Sequence, residues 1–243
     1  MKRILCLLMI AVSICSFAAD KQGSKKYGRH RIVVRQELPV SQAVDGELPP
    51  EDIVPSLAKR FFDALDALPE GFVKRSGLSY VTFLENPTLN GVPCSGVASG
   101  DTIILSVSFS PLVVYHELFH IFDPQRQNKK WTKLNDPKFV YTGSDFYPAR
   151  LKRSKAKRKE QNLTEAIFDA DFVSRYAMSN ELEDRAETFA YMVCEKKDFL
   201  KRVEKSPVLW KKMIYIINMT DRNKLLGKDF WQDIFEVEDL SSL

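Results

Sequence analysis

The chain has 243 residues, a formal net charge of +4 at pH 7, and 44% hydrophobic and 28% charged residues. These proportions are typical of a globular protein and exclude disordered and low-complexity classes. Its 10 glycines and 12 prolines exclude a collagen-like chain. The chain has one long apolar run, at the N-terminus, which excludes a protein with several membrane spans.

The first element is a predicted signal peptide at 1–19. It has basic residues at 2–3, an almost wholly apolar run at 4–14 and small residues at 18–19, where a signal peptidase would cut. The apolar run is shorter than the roughly 20 residues that a membrane span needs. We therefore expect a mature chain without a transmembrane span, exported to the periplasm or secreted. A lipoprotein anchored through Cys15 is less favoured, because a bulky residue precedes the cysteine.

The remainder, 20–243, shows no repeat and no clear linker, so we predict a single domain. Its first half alternates between strand and helix patterns. Strands are expected at 32–34, 78–84 and 101–107, a helix with one apolar face after the Pro-rich 48–55, and turns at 86–87 and 90–91.

The second half is predicted to be mainly helical, which makes the fold class α+β. A serine followed by a proline is typical of a helix start, and it occurs twice. Helices are expected from 110, over about 180–197, over 206–219 and over 228–237, with an irregular region at 123–175.

A basic run interrupts the irregular region. Residues 150–160 hold seven basic side chains and one acidic one, with no aromatic residues between them. Nucleic-acid sites that track a strand interleave aromatic residues, so no nucleic-acid partner is expected. We interpret the run as a solvated loop insertion, with an anionic surface or acidic partner as the alternative.

Two cysteines, Cys94 and Cys194, remain after signal cleavage. In an oxidising compartment they could form a disulfide, and two buried free thiols are the alternative.

The helix that begins at Ser110 contains the sequence His-Glu-Leu-Phe-His at 116–120. Residues four apart on a helix share a face, so His116 and His120 can bind one metal ion, and Glu117 can reach a water on that ion. Apolar residues flank this group, so the helix is expected to be buried and its polar side chains need compensation. A bound zinc ion would compensate the cost of burying these polar side chains. The alternative is that ordinary hydrogen bonds within a core helix do so.

A catalytic zinc ion takes a third protein ligand. No histidine follows His120, so we expect a carboxylate. Glu183 and Glu187 lie four apart on a predicted helix, where one can bind zinc while the other orients a ligand imidazole. For Glu183 the alternative is a capping box with Asn180.

Over about 105–219, the chain resembles the catalytic domain of anthrax lethal factor and its relatives, which include proline-specific endopeptidases. That family combines H-E-x-x-H with a tyrosine and, seven positions later, a glutamate that opens an E-x-x-A-E-x-F helix. Here Tyr176 stands seven positions before Glu183, and 183–189 reads Glu-Asp-Arg-Ala-Glu-Thr-Phe. The part before 105 agrees only in the order of its elements.

The resemblance implies a zincin-like fold of the gluzincin type, in which a small mixed sheet places an edge strand beside the active-site helix. It also implies a role for each matching residue: zinc ligands His116, His120 and Glu183, general base Glu117, active-site phenol Tyr176, and Glu187 as the carboxylate that orients a ligand imidazole.

Three features limit what the resemblance implies. The 62 residues between His120 and Glu183 include the basic run, and the tail after Met219 is extra. Both can reshape the cleft, so no cleavage-site preference is carried over. Tyr141 and Tyr147 are rivals of Tyr176 in the same region.

We therefore predict an exported zinc-dependent endopeptidase that hydrolyses bonds in a peptide or protein substrate. The substrate is expected to pair, as an extended chain, with the strand at 101–107. The alternative is an exported zinc-containing module that binds peptides or proteins with little or no turnover. A metal-free envelope protein is disfavoured, because every residue of the predicted site is present.

Overall fold

The computed structural model describes residues 25–26, 30–38, 43–123, 129–143, 168–221 and 225–240. The predicted signal peptide at 1–19, the basic run at 150–160 and the rival Tyr147 lie outside the described residues. Among the helices that are described, none is both long and apolar enough to cross a membrane. Export and the single-domain organisation stay predictions.

Two helices lie between the third and fourth described strands of the chain. Helix α1 (Val54–Asp66) has a proline in its first turn, and the apolar face predicted for it is buried. Helix α2 (Glu70–Ser76) ends at Gly77, whose φ of 87° closes the helix in the left-handed region. The sequence did not predict α2, because seven residues are too few to show a helical period.

The predicted helices of the second half are confirmed. The long pattern over 180–197 proves to be two helices that meet at Glu195. The described helices are α3 (Pro111–Phe122), the short α4 (Lys129–Thr132), α5 (Glu181–Cys194), α6 (Lys196–Val203), α7 (Pro207–Asp221) and α8 (Lys228–Phe235).

The strands of the described residues form a mixed sheet in the order β1-β2-β4-β7-β6, with β3 and β5 also paired to β4. Strand β4 runs parallel to β2 and β7 along its first half and antiparallel to β3 and β5 along its second. The strands are β1 (Lys25–Lys26), β2 (Val33–Arg35), β3 (Val44–Glu47), β4 (Tyr80–Leu89), β5 (Val92–Pro93), β6 (Gly96–Ser99) and β7 (Thr102–Ser106).

The sheet has an edge strand beside the helix of the His-Glu-Leu-Phe-His sequence, as the resemblance implies, but it is β6. Our identification of 101–107 as that edge was wrong, because β7 is paired on both sides. Gly100, with a φ of 61°, reverses the chain and lays β6 antiparallel to β7. Two glycines in a short segment had hidden this strand from the sequence analysis.

One of the two predicted turns was also wrong. Asn86-Pro87 lies inside β4, where Asn86 has a φ of 49° and the pairing with β3 shifts its register. The pair therefore marks an irregularity within the strand and not a chain reversal. Asn90-Gly91 is a turn as predicted, with φ values of 54° and 76° that suit a tight hairpin between β4 and β5.

Aromatic rings join α2, α3 and α5 into one core. The Phe119 ring of α3 stacks on Phe189 of α5 with 4.7 Å between centroids, and Phe72 of α2 stacks on Phe189 at 5.5 Å. All three side chains are almost fully buried. This packing holds α3 against α5, which is the contact that brings the predicted metal ligands together.

The two described cysteines are free thiols, so the disulfide alternative is wrong, and both are half-buried where the free-thiol alternative had them buried. Burial, followed by the charge of Glu117, raises the pKa of Cys94 to about 11. Burial, followed by the charge of Glu195, raises the pKa of Cys194 to about 12. Neither thiol is disposed to ionise near neutral pH.

Candidate metal centre

Helix α3 presents the two histidines on one face. It starts after Ser110, with Pro111 in its first turn, and its apolar sequence packs on the sheet on one side and on α5 on the other. His116 is 6% exposed and Glu117 is 7% exposed. Polar side chains this deeply buried need partners, and the structure supplies them from α5 and β6.

Three potential ligand atoms meet between α3 and α5. The Nε2 atoms of His116 and His120 are 2.9 Å apart, and Oε2 of Glu183 lies 3.0 Å from the first and 3.1 Å from the second. His116, Glu117 and His120 also each offer an atom within 4.8 Å of the others. Of the two carboxylates considered for the third ligand, Glu183 and Glu187, that of Glu183 contacts both imidazoles directly.

Glu183 stands in the first turn of α5 because Asn180 caps that helix. The Asn180 side chain accepts hydrogen bonds from the backbone N–H groups of Leu182, at 2.9 Å, and of Glu183, at 3.1 Å. The part of the capping-box alternative that concerns Asn180 is therefore confirmed, since Asn180 is the N-cap. The Glu183 carboxylate, however, lies against the histidines.

Glu187 contacts the imidazole of His116 at Nδ1, the ring nitrogen that does not face Glu183. Oε1 of Glu187 lies 2.8 Å from Nδ1 of His116, one helical turn beyond Glu183 on the same face of α5. The Ser174 hydroxyl donates a 2.6 Å hydrogen bond to the other oxygen, Oε2. Ser174 was not predicted from the sequence, because a hydroxyl in an irregular segment belongs to no spacing pattern.

The Glu117 carboxylate faces the edge strand and accepts a hydrogen bond from the backbone N–H of Ala98. Strand β6 comes this close because Gly96 has no side chain. A Cβ at Gly96 would lie 2.7 Å from Val113 Cγ1 and 2.9 Å from both Cγ and Oε1 of Glu117. Neither contribution was predictable from the sequence, since β6 itself was not predicted.

Tyr176 lies on a 3₁₀ turn, Tyr176–Met178, that leads into α5. Its ring centroid is 5.8 Å from that of His116, and its side chain hydrogen-bonds Glu183. Burial, followed by the charges of Glu183 and Glu117, raises the pKa of Tyr176 well above its usual value, so the phenol keeps its proton as a donor.

The rival Tyr141 points elsewhere. Its hydroxyl donates a 2.8 Å hydrogen bond to Asp184 and accepts one of 3.0 Å from Asn135. Asp184 is fully buried and also faces the ammonium of Lys212, 3.0 Å away. Tyr141 therefore belongs to a buried polar cluster beneath α5, outside the group of histidines and glutamates.

A second buried ion pair ties the end of α3 to α5. Arg185 Nε donates a 2.6 Å hydrogen bond to Asp123, and Arg185 is 1% exposed. Glu183 is thus followed directly by two residues that are each held in the core by a charge partner, Asp184 by Lys212 and Arg185 by Asp123. Spacing along the sequence could not predict these pairs, because their partners lie on other elements.

The charges of the centre shift two pKa values in opposite directions. Burial acts to lower the pKa of His116, but hydrogen bonds with Glu183 and Glu187 outweigh it and raise that pKa well above its usual value. Burial acts to raise the pKa of Glu183, but the hydrogen bonds with His116 and His120 outweigh it and hold that pKa well below its usual range. Glu183 is therefore an anion facing both imidazoles.

This donor set fits a zinc ion. Two imidazole nitrogens and one carboxylate oxygen are the ligands of one common type of catalytic zinc site. An ionised carboxylate has no proton to donate, and in the neutral imidazole with its proton on Nδ1, that N–H donates a hydrogen bond to the Glu187 carboxylate. A cation bound between the three atoms would satisfy their lone pairs together. His116, His120 and Glu183 are the residues that would hold it.

The comparisons with known proteins agree with this chemistry. Residues 106–229 match the family described as "Putative zinc-binding metallo-peptidase". A crystal structure of a protein described as a "putative zinc-binding metallo-peptidase", from Bacteroides caccae, superposes with a TM-score of 0.50. It has 14% sequence identity and covers 84% of this chain and 83% of its own, so it shows a shared fold. No curated protein sequence matches significantly.

The matched region contains all three residues around which the site is built, and it spans more than half of the chain. Zinc is therefore the cofactor, and a peptide or protein is the class of substrate that the family implies. The chain belongs to this family of zinc-binding metallopeptidases.

Proposed function

We propose that the protein is an exported zinc-dependent endopeptidase of the gluzincin type, with His116, His120 and Glu183 as the zinc ligands. The observation that carries the proposal is the meeting of three ligand atoms at 2.9–3.1 Å. The buried carboxylate of Glu117 lies beside them. Export rests on the sequence of 1–19 alone.

Glu117 is the proposed general base. A zinc ion bound at this centre supplies Lewis-acid polarisation and lowers the pKa of water to roughly 7. The Glu117 carboxylate takes a proton from the attacking water and later passes it to the leaving amine. Burial raises the pKa of Glu117, while the two histidines act to lower it, and a raised pKa makes the carboxylate a better proton acceptor.

Tyr176 is the proposed hydrogen-bond donor to the oxyanion that forms on the scissile carbonyl. Its ring lies beside His116 and its side chain hydrogen-bonds Glu183, so a protonated donor stands next to two of the proposed zinc ligands. Glu187 holds Nδ1 of His116 and thereby aims Nε2 of the ring at the centre.

An extended substrate is proposed to add to β6, in place of the strand at 101–107. Strand β6 has an unpaired side among the described residues and lies along α3. Its main-chain groups can pair with a peptide and lead it past Glu117. This mode of binding depends on backbone groups, so it gives affinity for extended chains without dictating a cleavage sequence.

The test is cleavage of a diverse peptide mixture by the zinc-loaded mature protein, read by mass spectrometry, with Glu117→Gln as the comparison. We expect new peptide termini with wild type and a loss of about 10²-fold or more with the variant, at equal zinc content. Glu204→Gln, a change at an exposed residue just after α6, is the control and should cleave as wild type does.

Cleavage at the wild-type rate by Glu117→Gln would contradict the proposed mechanism. Zinc binding without any cleavage by the wild type would contradict the endopeptidase proposal and leave a zinc-containing binding module.

A further inference from the structure

Ser174 makes two hydrogen bonds that no sequence pattern predicts. Its hydroxyl donates to Oε2 of Glu187 at 2.6 Å and accepts from the backbone N–H of Ala177 at 3.1 Å. A serine hydroxyl has one proton and two lone pairs, so it makes both bonds at once. The bond from the Ala177 N–H leaves the proton of the hydroxyl for the carboxylate.

The first bond acts on the zinc ligand His116. Glu187 has its Oε1 against Nδ1 of that imidazole, at 2.8 Å, while Ser174 holds its Oε2. A carboxylate held at both oxygens has a defined rotation, and it keeps the proton of the imidazole on Nδ1. In the neutral ring this leaves a lone pair on Nε2, the atom that faces Glu183 and His120, and that tautomer can bind a metal ion.

The second bond acts on Tyr176. The N–H of Ala177 belongs to the 3₁₀ turn, Tyr176–Met178, that presents the phenol. Val173 on one side of Ser174 and Ala177 on the other are buried, so the backbone around the serine is anchored in the core. Ser174 thus lies between buried neighbours and hydrogen-bonds the backbone of the turn that places the phenol beside His116.

We propose that Ser174 is a positioning residue of the zinc centre, which holds Glu187 against His116 and sets the turn of Tyr176. The proposal rests on the function proposed above for its assignment of the zinc ligands. It predicts an effect on zinc affinity that passes through Glu187, together with a separate effect on turnover through Tyr176.

The experiment measures the zinc dissociation constant by competition with a chromogenic chelator, for wild type, Ser174→Ala, Ser174→Thr, Glu187→Ala and the Ser174→Ala/Glu187→Ala double variant. We expect Glu187→Ala to weaken zinc binding about 10–100-fold and Ser174→Ala about 3–10-fold, because the serine is one contact further out. Ser174→Thr keeps the hydroxyl and should bind zinc as wild type does.

The double variant separates positioning from a general loss of stability. If Ser174 acts through Glu187, Ser174→Ala adds no further loss of zinc affinity once Glu187 is alanine. A purely structural serine would instead weaken both backgrounds equally.

Ser206→Ala is the matched control. The Ser206 hydroxyl makes the same kind of pair, donating 2.6 Å to Asp171 and accepting 3.0 Å from the N–H of Leu209, away from the zinc centre. It should lower the melting temperature and leave zinc affinity unchanged, which shows what the loss of such a pair costs on its own.

The proposal is overturned if Ser174→Ala binds zinc as tightly as wild type, or if its effect is the same with and without Glu187. This outcome is independent of the proposed function, since the readout is zinc affinity and not cleavage. If the wild type binds zinc but cleaves no peptide, the endopeptidase proposal fails while the role of Ser174 at the metal is still measured. If the turnover of Ser174→Ala equals that of wild type at saturating zinc, the effect on Tyr176 is excluded.

Discussion

Glu117 and Glu183 are the same residue type beside the same two histidines, yet the structure shifts their pKa values in opposite directions. Burial acts to raise the pKa of both carboxyl groups, although 14% of the Glu183 side chain is exposed. Glu183 hydrogen-bonds both imidazoles, and its pKa falls. Glu117 has only the attraction of the two imidazoles and one backbone N–H to offset burial, and its pKa rises. An anionic ligand and a proton acceptor are thereby distinguished by their contacts alone.

The proposed role of Tyr176 makes a prediction for single hydroxyl deletions. Tyr176→Phe should lower kcat by about 10², because it removes one donor to a developing oxyanion, and it should leave zinc content unchanged. The measurement is steady-state cleavage of a peptide found in the library experiment.

Tyr141→Phe is the matched control for this prediction. The Tyr141 hydroxyl is bonded to Asp184 in the core, so its loss should cost about 1–3 kcal/mol of folding free energy and leave kcat unchanged. A normal kcat for Tyr176→Phe, combined with a loss for Tyr141→Phe or Tyr147→Phe, would assign the active-site phenol to the rival.

At the scale of single residues, the sequence was a good guide wherever chemistry followed a spacing. His116, His120, Glu183 and Glu187 each lie four positions from a partner on a helix, and the structure brings all four together. The role of Ser174 was not predictable, because its hydroxyl lies in an irregular segment and donates to a residue on another element. The same holds for the Ala98 N–H, since backbone donors leave no mark on the sequence.

The edge strand β6 depends on one glycine. A methyl group at Gly96 would overlap Val113 and Glu117 of α3, at 2.7 and 2.9 Å. Gly96→Ala should therefore push β6 or Glu117 out of place and lower kcat/KM by about 10-fold or more, since misplacing a catalytic group by 1 Å can cost about 10². Zinc content should not change, because the atoms nearest to the added methyl group belong to Val113 and Glu117 and not to a zinc ligand.

Gly71→Ala is the control for this substitution. Gly71 lies in α2, and an added Cβ would meet nothing within 4 Å, so activity should be that of wild type. If Gly96→Ala cleaved peptides as fast as Gly71→Ala, the close approach of β6 to Glu117 would have no part in catalysis.

Elements with a clear period were predicted and the others were not. The helices α1, α3 and α7 show apolar faces or cap-then-proline starts, and each was placed within a few residues. The order of strands was not predictable, because pairing between β6 and β7 is a tertiary contact, and a four-residue strand with a terminal glycine resembles a loop.

A buried lysine connects separate elements of the helical half of the fold. The ammonium of Lys212, on α7, contacts Asp184 on α5 and the backbone oxygen of Asp171, and it lies 3.5 Å from the ring centroid of Phe172. Lys212 and Asp184 are both fully buried. Burial lowers the pKa of this lysine, and the charge of Asp184 opposes that shift. Each of the two buried charges is therefore compensated by the other, and removing one leaves the other without a partner charge.

Lys212→Met should therefore lower the free energy of unfolding by about 3–5 kcal/mol, because it leaves the Asp184 carboxylate buried without its partner. Equilibrium denaturation in urea measures this. Lys59→Met removes an exposed lysine that pairs with Asp63 four residues later, and it should cost less than about 0.5 kcal/mol. Equal losses for the two variants would contradict the structural role given to Lys212.

The centre unites two parts of the molecule that are far apart in sequence. The histidines come from a helix that follows the sheet, and the carboxylates come from a later helix, with 62 residues between His120 and Glu183. The sequence predicted the α+β class and this pairing of helices from local patterns and a family resemblance. It did not predict the aromatic core of Phe72, Phe119 and Phe189 that holds the helices together, since those contacts are long-range.

The most direct test of this account is the zinc content per chain of the purified mature protein, measured by mass spectrometry of the metal for wild type, Glu117→Gln and Glu183→Ala. The account predicts about one zinc per chain in wild type and in Glu117→Gln, and a clear loss in Glu183→Ala, because only the last removes a ligand. Full zinc content in Glu183→Ala, or a loss in Glu117→Gln alone, would contradict the assignment of Glu183 as the third ligand.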